Sequence, residues 1–265
     1  MSYRNMPNYV DLVFSPRPEL DPTTVGDFCA SKLGAACLSA GKPGVCELVL
    51  EAMKQPLRTY EAEWRKPLEW AKQAHPYRPR ALCELPSYVG EGRSLEHFSR
   101  NLHGLIGSTP SIDWLLVSQG IHTIMEFSQL GPWPQANAWV GLKAWVYGRG
   151  CFAESIQTLL DAPAAKRVLI VDVDSHDLRV QSGLVRPLDW VICSARSGDY
   201  SVLGNLRYLR NKCATCGVPF WFAGWRDSVP DRDGVFRPSS ELTGANAVDR
   251  YSLDGALHRG TPFVH

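Results

Sequence analysis

Short apolar runs rich in β-branched and aromatic residues recur along the chain: YVDLVF (9–14), RALCEL (80–85), DWLLVS (113–118), AWVGLK (138–143), RVLIVDV (167–173), DWVICSA (189–195) and PFWFAGW (219–225). Most lack strict in–out alternation, the signature of strands buried on both faces. Helical periodicity fills several of the gaps. In 94–108, Leu95, Phe98, Leu102 and Leu105 fall on one stripe; Ser94 is placed to cap it, with His97 where a capping box would carry Glu. Residues 151–162 and 201–217 repeat the pattern, and Gly217 stands where the second of these should stop. Strand, helix, strand with short connections dictates parallel strands joined by right-handed crossovers. The expected fold is therefore α/β, a barrel-like, mostly parallel sheet with its working face at the strand carboxyl ends. With no repeat or linker to divide it, the chain reads as one domain over 1–265, and 226–250, rich in Asp, Arg, Pro, Ser and Gly, reads as a long surface loop.

Composition narrows the function classes. At 265 residues, the chain suits one barrel-sized domain, and a formal net charge of +1 argues against a sequence-independent nucleic-acid coat, which would be plainly basic. No apolar run approaches the roughly 18 residues needed to span a bilayer. The opening MSYRNMPNYVDLVF lacks a basic segment followed by an apolar core, so the expectation is a cytoplasmic protein without a signal peptide. In that compartment the 8 cysteines are thiols or metal ligands, not a disulfide framework.

The carboxyl-terminal half carries NAWVGLKAW, LLDAPAAKRVLIVDVD, LDWVICSARSGD, RNKCATCGVPFWFAGW and YSLDGALHRGTP in that order. These segments resemble a phage-encoded family of unknown function, marked by a three-cysteine motif and related to radical S-adenosylmethionine (SAM) enzymes. The resemblance runs from about Pro110 to the end. It implies a partial (β/α) barrel with a four-iron cluster held after the first strand, and SAM as cofactor. The family's cysteines are spaced roughly Cys-x6-Cys-x2-Cys. Here the loop FCASKLGAACLSAGKPGVCELVLEAM offers Cys29, Cys37 and Cys46, spaced C-x7-C-x8-C. Other polar positions differ too: Ser194, Ala195 and Arg196 replace Gly-Gly-Glu, Ala223 and Gly224 replace Lys-Gln before Trp225, and Gln119 replaces Lys, whereas the acidic residue ending the fifth strand is kept as Asp172.

Three thiolates on a four-iron cluster leave one iron to chelate the amino and carboxylate groups of SAM, and Cys29, Cys37 and Cys46 are the candidate ligands. The alternatives are reduced cysteines that pack a loop, or zinc, although the paired CxxC knuckles of zinc sites are missing. Cys213 and Cys216 do form a CxxC, but at a helix end, where the dipole opposes thiolate formation; packing and turn chemistry are expected of them. Asp172, Asp174, His176 and Asp177 gather at the end of the fifth strand, where Asp172 and Asp174 would share a face and could bind a cation or the hydroxyls of a nucleotide-like ligand. Solvated helix-cap aspartates are the plainer reading. Lys143, Arg196 and Arg226 could receive a phosphate or carboxylate, and Trp145 and Trp225 could stack on a base. The other histidines lack metal spacing, and neither a P-loop nor a nucleophile elbow is present.

The candidate site is thus Asp172 and Arg196 for catalysis, Lys143, Ser194, Asp174 and Trp225 for the cofactor, and Cys29, Cys37 and Cys46 for the metal cluster. The expected function is a divergent radical-SAM-type isomerase or transferase acting in phage DNA-base modification, with a nucleic acid or nucleotide as substrate. The alternative is a cluster-free pseudoenzyme that binds nucleic acid or scaffolds a partner modification enzyme. A metal-dependent hydrolase or transferase built on Asp172 and Asp174 is a third reading.

Overall fold

Each of the seven apolar runs forms a strand, because β-branched and aromatic side chains fit a pleated surface covered on both sides. The computed structural model describes residues 12–14, 58–73, 78–85, 93–118, 120–145, 149–173, 178–195, 200–225, 228–230, 235–238 and 251–262. Strands β1 (Leu12–Phe14), β2 (Arg80–Glu84), β3 (Asp113–Ser118), β4 (Ala138–Trp145), β5 (Lys166–Val173), β6 (Trp190–Ala195) and β7 (Phe220–Trp225) pair in chain order. Every pairing is parallel. Each crossover therefore steps one strand sideways, and β2–β7 curl into a half-barrel flanked by helices, with the short β1 added beside β2. The expected α/β half-barrel is the observed fold.

Helices α2 (Arg93–Ser108), α4 (Arg149–Asp161) and α6 (Tyr200–Cys216) occupy the three periodic stretches. The first opens at Arg93, which puts Ser94 inside its first turn. Gly217 ends α6 as expected: it takes φ +71, its N–H donates to Ala214 O at 3.2 Å, and Val218 N–H donates to Cys213 O at 2.9 Å. That bond pair is a Schellman motif, which needs the left-handed residue glycine supplies. Three more helices have weak sequence signals. α1 (Arg58–Ala71) contains Pro67, α3 (Ile121–Gln129) starts at Gly120 without a side-chain cap, and α5 (Ser182–Val185) is a single turn.

Parity along the strands sorts side chains between two cores. Ala81, Cys83, Leu116, Val140, Leu169, Val171, Val191 and Cys193 face the helices and pack with Phe98, Leu102, Ile106, Phe127, Ile156, Leu206 and Leu209. The opposite, concave face carries Leu82, Leu115, Val117, Trp139, Val168, Ile170, Trp190, Ile192 and Trp221. Trp139, Trp190 and Trp221 meet edge to face, with centroids 6.4 and 6.1 Å apart. Such pairs add roughly 0.5–1.5 kcal/mol each beyond burial. Arg80, Lys166 and Arg259 lie over the three rings at 5.7–5.9 Å.

Two short strand pairs follow β7 among the described residues. Within 226–250, β8 (Ser228–Pro230) and β9 (Phe236–Pro238) pair antiparallel, with Val229 buried. Farther on, β10 (Ser252–Leu253) and β11 (Ala256–Leu257) form a hairpin turned by Asp254 and Gly255 at φ +56 and +74. An Asp-Gly pair with two positive φ values suits a two-residue hairpin. The chain then runs along the outer edge of β7: Phe222 N–H donates to His258 O, and Gly260 N–H to Phe220 O, both at 2.9 Å. A Cβ on Gly260 would stand 2.9 Å from Phe220 N, so glycine is required for this approach. The exposed edge is thereby covered.

Asp254 ties the hairpin to α6 through Arg207 and Arg210, each at 2.6 Å. The Arg207 hydrogen bond, with help from Arg210, holds the Asp254 carboxyl below its ordinary value of 3.8. A carboxylate more acidic in the folded chain stabilises above its unfolded pKa and loses that contribution as pH falls through the folded value. Asp254→Asn should therefore lower the unfolding midpoint modestly at pH 7, and the gap to wild type should close below about pH 3.8 in denaturant titrations. A gap that stays constant through the acid range would show that the ion pair contributes nothing.

Candidate functional site

The concave face changes character toward the strand carboxyl ends. On β5, Val168 and Ile170 are followed on the same face by Asp172; on β6, Trp190 and Ile192 are followed by Ser194. Register places Asp172 opposite Ser194, and the Ser194 hydroxyl donates to Asp172 Oδ1. Both residues are buried, at 3% and 9% exposure. A carboxylate taken out of water needs such donors, since an unsatisfied buried charge costs several kcal/mol. Lys143 sits on β4 beside Ile170, one pleat below Asp172 on the same face, and is 2% exposed. A cation, a carboxylate and a hydroxyl thus share one face at the ends of three adjacent strands.

A register shift between β6 and β7 shapes the next position. Cys193 pairs with Phe222, but Ser194 pairs with Gly224, so Ala223 is passed over. Gly224 takes φ +117, a backbone conformation that side chains disfavour. It brings no side chain beside Ser194. The same bulge sends Trp225 to the helix side, opposite Ala195. Its ring packs edge-on against Phe222 and Phe236, and its Nε1–H donates to Ser252 O at 3.0 Å.

The structure therefore brings together Asp172, Ser194 and, one pleat away, Lys143, and separates Trp225 from them. Trp145 holds the β4 register position opposite Asp172. Arg196, Asp174, His176, Asp177, Arg226 and Gln119 lie outside the described residues, as do Cys29, Cys37 and Cys46. Among the described residues no group of three or more His, Cys, Asp and Glu side chains is placed to hold a metal ion. No helix among them is long and apolar enough to cross a membrane.

Other titratable groups face the packing. Burial pushes the Cys83, Cys193 and Cys213 thiols up, Cys213 to about 12. Cys216, half-buried at the end of α6, points its thiol toward Ser182 O at 3.8 Å. His103 stacks on Phe127 with centroids 4.2 Å apart, and desolvation lowers its pKa. It lines a cleft of about 400 Å³ between α2 and the turn after α3, with Arg100, Leu130, Gly131, Pro132 and Gln135. That cleft lies on the helix layer, apart from the polar trio.

A family model described as a protein of unknown function, DUF5131, matches residues 27–262. No curated protein and no solved structure matches the chain.

Two outcomes follow from this geometry. Ser194→Ala removes a donor from a buried carboxylate and should cost about 1–3 kcal/mol of stability, read from denaturant midpoints at neutral pH; a midpoint equal to wild type would mean the bond contributes nothing net. Under native conditions iodoacetamide should leave Cys83, Cys193 and Cys213 unmodified at pH 8, because thiols so raised carry almost no thiolate. Rapid alkylation of Cys213, seen by peptide mass spectrometry, would restore a redox role for the CxxC.

Proposed function

The chain belongs to the DUF5131 family, and we propose, from the resemblance of its carboxyl-terminal segments to a phage-encoded, radical-SAM-related family, that it is a divergent radical-SAM-type enzyme modifying nucleic acid. The observation that carries the reading is the buried trio of Lys143, Asp172 and Ser194 on the concave face at the strand carboxyl ends, the end where barrel folds place their chemistry.

The donor set fits such a cofactor. A lysine ammonium suits a ligand carboxylate, and a carboxylate such as Asp172 suits an ammonium or ribose hydroxyls. Ser194 keeps the Asp172 carboxylate oriented. Ile170 and Ile192, one pleat below Asp172 and Ser194, exclude water, which strengthens each polar contact. Cys29, Cys37 and Cys46 are the thiols proposed to hold a four-iron cluster, and the family match spans the whole loop that carries them. When bound, the cluster and SAM supply one-electron chemistry that takes a hydrogen atom from an unreactive carbon. Asp172 and Arg196 are then the groups proposed to orient or exchange protons with the substrate, in an isomerase or transferase reaction that remodels a group attached to a base. The setting proposed is the host cytoplasm.

A second reading is favoured by one specific feature, the wide C-x7-C-x8-C spacing together with the altered strand-end residues. Under it the chain is a cluster-free pseudoenzyme that binds nucleic acid or scaffolds a partner modification enzyme.

Protein purified anaerobically and reconstituted with iron and sulfide should be brown, with broad absorption at the blue edge of the visible range and bound iron in keeping with a four-iron cluster. Cys37→Ala and Cys46→Ala should each abolish that colour. A colourless, iron-free wild type, indistinguishable from both variants, would decide for the cluster-free reading.

A further inference from the structure

With Trp225 turned into the helix-side core, the base-stacking role anticipated for it needs another residue. Tyr200 is the first residue of α6, the helix that follows β6. In a parallel strand–helix repeat that end of the helix lies at the strand carboxyl ends, and Tyr200 follows Ser194 by six positions, so the two Cα atoms are within about 20 Å even at full stretch. Its exposure is 73%, the largest among the described apolar side chains with substantial exposure, Leu68, Tyr200, Val235 and Leu257.

Tyr200 is nevertheless not a loose side chain. Its ring meets Phe236 of β9 edge-on, with centroids 5.7 Å apart and an interplanar angle of 86°. Phe236 meets Trp225 at 5.7 Å, and Trp225 meets Phe222 at 5.5 Å. Four rings thus connect the core to the rim, and an edge-on contact leaves at least one broad face of Tyr200 uncovered by Phe236. Ordering a flat ring in advance removes much of the entropic cost of stacking on it.

We infer that Tyr200 is the platform on which a nucleobase of the substrate stacks at the mouth of the half-barrel, an inference that rests on the nucleic-acid reading above. Among the described residues the exposed apolar surface around Tyr200 is small, which favours a base over a protein partner. Of the other three exposed apolar residues, only Val235 adjoins in sequence the Phe236 that Tyr200 contacts. A protein interface commonly buries on the order of 800 Å² per partner, whereas one ring matches one base.

The test is fluorescence anisotropy with the full chain and a fluorescein-labelled single-stranded DNA oligonucleotide, repeated across a salt series. Tyr200→Ala should weaken binding by about 5- to 150-fold, the range expected for loss of one base–aromatic stack. The loss should be the same factor at every salt concentration, because stacking releases no counterions and leaves the salt slope unchanged. Tyr200→Phe should bind like wild type. Equal binding by wild type and Tyr200→Ala would overturn the platform while leaving the nucleic-acid reading intact. Absence of wild-type binding would overturn both. Unchanged DNA affinity with a Tyr200-dependent change in self-association, seen by sedimentation, would assign the ring to a protein contact and overturn the inference.

Discussion

The structure depends on the register of a parallel sheet buried on both sides. Along β4, β5 and β6 each residue faces either the helices or the concave core, and a slip of one position would exchange the two sets. For most of the length the exchange would swap one apolar side chain for another. At the carboxyl ends it would drive Lys143, Asp172 and Ser194 into the helix-facing core, among Val171, Cys193 and their neighbours. There Asp172 would lose the Ser194 hydroxyl, and a buried carboxylate stripped of its donor costs several kcal/mol, against a net domain stability of only about 5–15 kcal/mol. The polar trio therefore helps fix the register that creates it.

The concave face divides its labour along the strands. Near the amino ends, Trp139, Trp190 and Trp221 fill the curve of the sheet, and Trp190 Nε1–H reaches Gly260 O at 2.7 Å, joining that floor to the carboxyl-terminal segment. Toward the carboxyl ends the layer narrows to Ile170 and Ile192, then to the polar residues. A rigid aromatic floor under a buried polar layer gives that layer a fixed base. Preorganisation of this kind separates a site from a merely polar surface patch.

Much of this was legible in the chain. All seven strands follow from continuous apolar runs, and the end of α6 from one glycine, since both signals report local physics. The helices missed were those whose signals conflict. Pro67 lacks an N–H and argues against α1, while α3 lacks a capping side chain. Asp172 stood out because a strand end is visible in sequence. Its pairing with Ser194 did not, because it depends on the register between β5 and β6, which periodicity within one strand does not encode. The Cys29, Cys37 and Cys46 loop lies outside the described residues, and its reading still rests on residue type and spacing.

Trp225 shows how one residue can redirect a site. Strict alternation from Trp221 and Ala223 would have pointed Trp225 into the concave face, above Ser194, as a ready aromatic wall. The bulge at Gly224 breaks the alternation, and a glycine at φ +117 lets it form at small cost. The consequences run in opposite directions on the two faces. Inside, the position opposite Ser194 is left without a side chain. Outside, Trp225 becomes the support for Phe236, and Phe236 for Tyr200. An aromatic surface lost from the concave face is thus rebuilt at the rim, farther from Asp172 and more open to solvent. On the proposed reading, a base carried on a nucleic-acid strand would reach such a rim without threading the interior.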